Sequence, residues 1–228
     1  MVMRTVLRAV GLLEPLRAVR RRLWARMLRS FLATWDADEI RHSWLLTHDP
    51  VRLAALDYAA KRLRSEGVTG HFAEVGVFRG DLSVYLQGLD SSRRLYLFDT
   101  FEGFPSVDLE GGPDARFRDT HVEHLLQRLP LREQAVVRKG YFPETFRGLE
   151  EERFALVVLD VDLFAPTKAG LELFYPRLER GAYVFLHDYN SPESNRGVAR
   201  AADAFMADKL EHLVDLPDAY GTVLFRKV

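Results

Sequence analysis

Residues 71–83 read His-Phe-Ala-Glu-Val-Gly-Val-Phe-Arg-Gly-Asp-Leu-Ser, and this stretch decides the fold. Its first half is a short apolar run, which is typical of a strand buried on both faces of a sheet. Gly76 and Gly80 then interrupt the run, and Asp81 or Ser83 can cap a helix that follows. A strand, a glycine turn and a helix N-terminus form a cradle for a nucleotide-like ligand, because free N–H groups face it.

Glu74 lies inside this apolar strand, where a carboxylate is costly to bury without a partner. Its position therefore favours a partner such as a ligand ammonium group or a ring of N–H donors. The alternative is an ordinary strand, turn and helix, which many α/β proteins contain without a ligand.

The composition indicates one α/β domain with an N-terminal extension, because the chain has 228 residues and 47% of them are hydrophobic. The formal net charge is −1, so the composition does not point to nucleic acid. The sequence has no cysteine, which excludes thiol catalysis, disulfides and Cys-ligated zinc. No apolar stretch is long enough to span a bilayer and no signal-peptide pattern is present, so we expect a cytoplasmic protein.

Residues 1–31 contain eight arginines and the single acid Glu14. Apolar residues at helical spacing alternate with these arginines and predict a basic amphipathic helix. Such a helix can lie on an anionic membrane, or it can pack on its own domain or on a sister subunit. We expect packing on protein, with residues 1–48 as a helical extension or lid and with a homo-oligomer formed through these helices.

Strands and helices alternate along the rest of the chain, which predicts a mainly parallel sheet. Asp49 caps the first predicted helix and Pro50 occupies its first turn. The closing hairpin adds one antiparallel strand. The predicted helices are 49–65, 82–89, 121–128, 167–178 and 194–209, and the predicted strands are 71–77, 94–101, 135–142, 154–162, 182–190, 213–216 and 222–227.

Chemically distinctive residues lie at the carboxyl ends of five of the predicted strands, at the sheet edge where α/β proteins bind ligands. Asp99 lies close to the expected distance of about 20 residues from the first glycine, which is typical of an acid that binds ribose hydroxyls. The alternative is that Asp99 caps a turn. The five groups are Glu74 with Gly76, Asp99, Gly140 with Tyr141, Asp160 with Asp162, and His187 with Asp188 and Asn190.

The last two groups suggest a cation site, because carboxylate and amide oxygens suit Mg²⁺. Such an ion would acidify a substrate hydroxyl, and an Asp or His side chain would then accept the proton. The alternative is a set of turn caps, a solvated acid and a hydrogen-bonded histidine. The loop 103–120 is long enough to predict a functional role, and Tyr141 with Phe142 can border an adenine or belong to the core.

Five segments resemble the macrocin O-methyltransferase family, and the resemblance runs over residues 70–205. Members of this family are class I enzymes that use S-adenosylmethionine to methylate sugar hydroxyls on natural products. The segments are Glu74–Ser83, Phe98–Pro105, Lys139–Phe146, Leu159–Thr167 and Phe185–Asn190.

The resemblance implies a role for each matching residue. The methionine end of the cofactor would be lined by Glu74, Gly76 and Ser83. Asp99 would hold the ribose hydroxyls, and residues 140–142 would border the adenine. The complete cofactor set is Glu74, Gly76, Gly80, Ser83, Asp99, Thr100, Gly140, Tyr141, Phe142 and Asp160.

The resemblance also implies a magnesium ion with Asp160, His187 and Asp188 as ligands. Characterised members have two consecutive aspartates at the later strand end, whereas this chain has His187 before Asp188, and histidine is a poorer Mg²⁺ ligand. The predicted catalytic residues are Asp160, Asp162 and His187.

Together these observations predict a Rossmann-like α/β class I methyltransferase fold, with a mainly parallel seven-stranded sheet and one antiparallel strand. Residues 49–228 would form the methyltransferase domain. The predicted activity is S-adenosylmethionine-dependent O-methylation of a sugar or glycosylated small molecule, with assistance from a divalent metal. One alternative is an NAD-dependent oxidoreductase, which the missing Gly-x-Gly-x-x-Gly disfavours, and another is a non-catalytic membrane-associated binding protein.

Overall fold

The computed structural model describes residues 49–110, 112–218 and 221–228, together with Val19 and Leu23. The chain divides into two compact units, Met1–Ala54 and Ala55–Val228. The predicted amphipathic helix of residues 1–31, its packing and its role in a homo-oligomer lie outside the described residues, apart from Val19 and Leu23. Within the described ranges, no helix combines the length and the apolar character that crossing a bilayer requires.

Residues 49–110, 112–218 and 221–228 contain five α-helices and seven strands, which mostly alternate. The helices are α1 (Pro50–Ser65), α2 (Asp81–Leu89), α3 (Val122–Arg128), α4 (Phe164–Phe174) and α5 (Gly197–Met206). The strands are β1 (His71–Val75), β2 (Leu95–Asp99), β3 (Ala135–Lys139), β4 (Phe154–Leu159), β5 (Leu178–Leu186), β6 (Val214–Asp215) and β7 (Val223–Arg226).

The seven strands form one sheet in the order β3-β2-β1-β4-β5-β7-β6. Strands β1 to β5 are parallel, and β7 runs antiparallel to both β5 and β6. This confirms the predicted mainly parallel sheet with one antiparallel strand. The reversal follows from the short connection between β6 and β7, which is too short for a crossover.

The register brings the ends of the central strands to one level. Val75 of β1 lies opposite Phe98 of β2 and Leu159 of β4, and Leu159 lies opposite Leu186 of β5. The residues that follow these four therefore meet at the carboxyl edge of the sheet.

Strand β4 occupies the centre of the sheet and is buried along its whole length. A cluster of aromatic rings packs against it, with the rings of Phe154 and Phe174 edge to face at 4.9 Å between centroids. The nearly continuous apolar sequence of β4 is therefore explained by burial on both faces.

Two helices differ in extent from the prediction. Helix α4 begins at Phe164 and ends at Phe174, and Leu178 belongs to β5 instead of the helix. Pro176, which has no N–H group to continue the helical ladder, lies in the short 3₁₀ turn between them. Helix α5 begins only at Gly197, because the three residues before it have left-handed backbone angles that a right-handed helix does not accept.

The helix caps agree with the prediction at α1 only. The backbone N–H of Arg52 donates to Asp49 Oδ1 at 3.3 Å, which confirms Asp49 as a cap. At α2 the cap residue is Gly80, and no side chain bonds to the free N–H groups there. The predicted capping by Asp81 or Ser83 is wrong, because Asp81 accepts a bond from the Arg128 guanidinium and the Ser83 hydroxyl bonds elsewhere.

The C-terminal strand is anchored by a buried ion pair. Lys227 Nζ lies 2.7 Å from Glu211 Oε1, and the Tyr175 hydroxyl donates to Glu211 Oε2 at 2.8 Å. Burial opposes the charged form of Glu211, but the hydrogen bonds from Lys227 and Tyr175 outweigh it and lower the pKa of Glu211 to about 2. The carboxylate is therefore ionised over the whole physiological pH range.

Candidate active site

The turn after β1 is shaped by the close approach of β4. Gly76 has a φ of +88°, and a Cβ added there would lie 1.9 Å from the carbonyl oxygen of Asp160. Its N–H donates to the Phe98 carbonyl oxygen at 2.9 Å, while the Asp160 N–H donates to the Val75 carbonyl oxygen at 2.9 Å. Gly76 is therefore required by the packing of three strand ends, whether or not a ligand binds.

Gly80 has a similar structural reason. Its φ is +77°, and an added Cβ would lie 2.3 Å from Cδ1 of Leu125 in α3. The glycine therefore lets α3 pack against the start of α2. A cofactor contact at Gly80 stays a prediction.

Glu74 and Ser83 form a buried pair beneath this turn. Their residues are 1% and 0% exposed, and the Ser83 hydroxyl donates to Glu74 Oε2 at 2.5 Å. The Ser83 hydroxyl thus offsets part of the free-energy cost of burying the Glu74 carboxylate, and a bound ligand would offset more. The structure brings the two residues together, and their contact with the methionine end of a cofactor stays a prediction.

Asp99 organises two turns at the end of β2. Its Oδ2 accepts hydrogen bonds from the N–H groups of Val77 and Phe78, both at 2.8 Å, and its Oδ1 accepts one from Phe101 at 2.7 Å. This is the turn-capping alternative of the sequence analysis. A carboxylate offers about four lone-pair sites, so the ribose role remains compatible with these three bonds.

Thr100, also predicted to contact the cofactor, holds the start of the loop 103–120. Its hydroxyl donates to the Gly103 carbonyl oxygen at 2.7 Å and accepts the Glu102 N–H at 3.1 Å. In this structure the Thr100 side chain therefore stabilises the loop.

The residues after β3 divide into a loop contact and a core residue. The Tyr141 hydroxyl donates to Asp108 Oδ1 at 2.9 Å, which ties β3 to the loop 103–120. Burial and the neighbouring Asp108 raise the pKa of Tyr141 to about 12, and burial also raises the pKa of Asp108. Phe142 is only 6% exposed and packs on Phe98, which favours the core alternative over an adenine contact. Gly140, with a φ of +135°, forms the bend between β3 and these residues.

A compact polar centre lies where β4 and β5 end. His187 Nδ1 lies 2.8 Å from Asp160 Oδ1 and 3.0 Å from Asp188 Oδ2, and the histidine is 7% exposed. One ligand-type atom from each of these residues lies within 4.8 Å of the others. The structure thus brings together the three residues that the sequence predicts as a metal site.

Asp162 adjoins this centre with a left-handed φ of 58°. Burial raises the pKa of Asp162 to about 8, and the charges of Asp160 and Asp188 act in the same direction, while Arg116 opposes them. Asp162 is therefore largely protonated at neutral pH, which makes it a hydrogen-bond donor rather than a base. Asn190, which the sequence groups with His187 and Asp188, instead bonds to Asp215 at 3.3 Å and is exposed.

The loop 103–120 contributes contacts that the sequence does not reveal. Glu110 pairs with Arg200 of α5 at 2.6 Å and accepts a bond from Asn195 at 3.2 Å, and Asp108 bonds to Tyr141. The loop therefore connects residues that follow β3 and β5. Its length and composition predicted a function, but its individual partners lie too far along the chain to be recognised from a local pattern.

A family model described as Macrocin-O-methyltransferase (TylF) matches residues 42–227. The chain belongs to this family. The match includes β1 to β7 and every predicted site residue, so it confirms the resemblance found in the sequence.

Curated relatives and a solved structure agree with the family. The 8-demethyl-8-(2,3-dimethoxy-alpha-L-rhamnosyl)-tetracenomycin-C 4'-O-methyltransferase of Streptomyces olivaceus is 30% identical over 156 residues, which is 60% of this chain and 60% of that protein. The mycinamicin III 3''-O-methyltransferase of Micromonospora griseorubida is 26% identical over 67% of this chain and 68% of its own length. The structure of CalS11, calicheamicin methyltransferase, has a TM-score of 0.66 at 24% identity and covers 89% of this chain and 90% of its own. These likenesses establish the class I methyltransferase fold.

The resemblance to this family implied a magnesium ion, and the donor set tests that expectation. Mg²⁺ takes oxygen ligands in near-octahedral geometry, whereas imidazole suits softer transition metals. Here His187 Nδ1 is engaged with the carboxylates of Asp160 and Asp188. The three residues therefore do not fit an all-oxygen magnesium site.

A surface cleft of about 390 Å³ lies beside the β1–α2 turn of this family member. Its lining contains none of the predicted cofactor or catalytic residues. The lining residues are Arg79, Asp119, Thr120, His121, His124, Gln127 and Arg128.

Proposed function

We propose that this chain transfers the methyl group of S-adenosylmethionine to a hydroxyl of a sugar or a glycosylated small molecule. One observation carries the proposal: the polar centre of Asp160 and His187 adjoins the glycine turn after β1. The Asp160 carbonyl oxygen lies only 1.9 Å from the position that a Cβ on Gly76 would occupy. A methyl donor on that turn and a base at the end of β4 would therefore act on the same acceptor.

The relatives support the acceptor class. One is named for 4'-O-methylation of a rhamnosyl-tetracenomycin and another for 3''-O-methylation of mycinamicin III, and the chain spans 60% and 68% of their lengths. Membership of the macrocin-O-methyltransferase family argues against the NAD-dependent oxidoreductase alternative. A cytoplasmic location remains a prediction.

The reaction is a direct displacement. The acceptor oxygen forms a bond to the methyl carbon while the bond from that carbon to sulfur breaks. The electron pair of the broken bond stays on sulfur, which loses its positive charge, and the hydroxyl proton goes to a base. The protein contributes by aligning the two reactants and by accepting that proton.

Asp160 is the base that we assign. It directly follows β4 and its side chain is 22% exposed, so an acceptor can reach it, whereas His187 is nearly buried. The raised pKa of Asp162 leaves that residue protonated at neutral pH, so it would hold a hydrogen bond instead of taking a proton. The magnesium assistance expected from the sequence is not part of this mechanism, because the donor set does not fit Mg²⁺.

Calorimetry with the full chain tests the cofactor, with S-adenosylhomocysteine and NAD titrated separately. We expect binding of S-adenosylhomocysteine only, and binding of NAD alone would overturn the proposal. Methyl transfer is then measured with a labelled methyl donor against nucleotide-activated and natural-product-linked deoxysugars.

Asp160→Asn is the matched variant, because it keeps the shape of the side chain and removes its basicity. We expect methyl transfer to fall by at least about a hundredfold, the scale of general base catalysis, and to fall far more than the affinity for S-adenosylhomocysteine. Full activity of this variant would contradict the assignment of Asp160.

A further inference from the structure

Two carboxylates meet at the ends of β4 and β5. Leu159 and Leu186 are paired in the parallel register, so Asp160 and the residues after Leu186 follow at one level. The side chains of Asp160 and Asp188 are only 22% and 15% exposed. Two partly buried like charges at short range repel each other, so the arrangement needs a cation or a donor between them.

His187 supplies that donor. A single atom, Nδ1, lies within hydrogen-bond distance of both carboxylates, at 2.8 Å from Asp160 and 3.0 Å from Asp188. Ionised carboxylates only accept hydrogen bonds, so the tautomer that satisfies both contacts carries its hydrogen on this nitrogen. A ring nitrogen that carries a hydrogen has no lone pair left for a metal ion.

The backbone keeps the ring in this position. The His187 N–H donates to the Leu159 carbonyl oxygen at 3.0 Å, which continues the β4–β5 ladder and fixes the Cα atom. Consecutive side chains of a regular strand point to opposite faces, so His187 and Asp188 would not meet in one. Asp188 instead has a left-handed φ of 58°, which turns its carboxylate back toward the ring.

We propose that His187 takes the place of a divalent cation in this centre, so that Asp160 and Asp188 are held together by its Nδ1–H and bind no magnesium. His187 is thus a positioning residue that acts through the carboxylates. The catalytic consequence rests on the proposed function, because it concerns the base assigned there. The exclusion of magnesium does not rest on the proposed function, because it follows from the donor set alone.

Metal binding by the full chain tests the proposal. The protein is treated with a chelator, dialysed and titrated calorimetrically with MgCl₂ and with MnCl₂. One variant is His187→Asp, which removes the donor and adds a carboxylate. The other is His187→Asn, which introduces a side chain of the same shape as aspartate but keeps an N–H donor. Asp160→Asn gives the baseline for weak surface binding.

We expect the wild type and His187→Asn to give no heat above that baseline. His187→Asp should bind Mg²⁺ at least about tenfold more tightly than the wild type, and Mg²⁺ should raise its melting temperature. The comparison with His187→Asn separates the effect of the new carboxylate from the loss of the imidazole.

One-site binding of Mg²⁺ or Mn²⁺ to the wild type, lost in Asp160→Asn, would overturn the proposal. So would a folded His187→Asp variant that binds Mg²⁺ no better than the wild type. If His187→Asp does not fold, the comparison of Mg²⁺ binding between the wild type and Asp160→Asn still tests the proposal. A parallel titration with S-adenosylhomocysteine separates the outcomes, because its failure refutes the proposed function and leaves the metal result intact.

Discussion

Gly76→Ala should be far more destabilising than a glycine replacement of equal backbone strain elsewhere. The φ of +88° alone costs an alanine about 1–2 kcal/mol. The added Cβ would also lie 1.9 Å from the Asp160 carbonyl oxygen, a backbone atom that cannot move without separating β1 from β4. We expect a total loss of about 4 kcal/mol or more in the free energy of unfolding, in the range that marks a core defect.

Gly148→Ala is the matched control, because Gly148 has a φ of +86° and no atom within 4 Å of an added Cβ. Its cost should be about 1 kcal/mol, since lower unfolded-chain entropy offsets part of the strain. Urea unfolding followed by circular dichroism gives both values, and the melting temperature serves if Gly76→Ala is too unstable to titrate. Equal stability of the two variants would refute the argument that the approach of β4 requires Gly76.

Three further substitutions test the contacts around the site. Asp99→Ala should weaken S-adenosylhomocysteine binding by about 1–3 kcal/mol, and unchanged affinity in calorimetry would remove the ribose role. Tyr141→Phe removes the hydroxyl that donates to the buried Asp108, and it should cost about 1–3 kcal/mol in urea unfolding. A loss below about 0.5 kcal/mol, the range of ordinary surface substitutions, would show that the bond is unimportant. Glu211→Gln should cost roughly 1–3 kcal/mol at pH 7, because the pKa is lowered from 4.5 to about 2 on folding. Since a lowered folded-state pKa stabilises above the unfolded value, this difference should shrink as the pH falls from 4.5 toward 2, and a pH-independent difference would contradict it.

The fold was predictable wherever local pattern and burial agree. Strand β4 is apolar along its length because both faces are covered, and Asp49 with Pro50 marks the start of α1 by capping chemistry that acts within one turn. The boundaries of α4 and α5 were not predicted correctly. Pro176 and the left-handed residues before Gly197 limit these helices through their backbone geometry. The periodicity of apolar residues contains no information about that geometry.

The candidate site was predictable in outline, because the carboxyl ends of parallel strands meet at one edge. That rule brings Asp160, His187 and Asp188 together, and the structure does so. It does not say that His187 and Asp188, adjacent in sequence, lie on the same side, because this depends on the φ of Asp188.

By itself, the sequence determined the mainly parallel sheet, the glycine turn after β1 and the family, because each of these is encoded in residues close together along the chain. Only the tertiary structure decided why the glycines are needed and which polar groups pair. The carbonyl oxygen of Asp160 leaves no room for a Cβ at Gly76, Asp108 accepts a hydrogen bond from Tyr141, and Glu110 forms an ion pair with Arg200. These partners lie on other elements of the fold. They come within hydrogen-bond or van der Waals distance because the whole sheet packs, which no local sequence preference specifies.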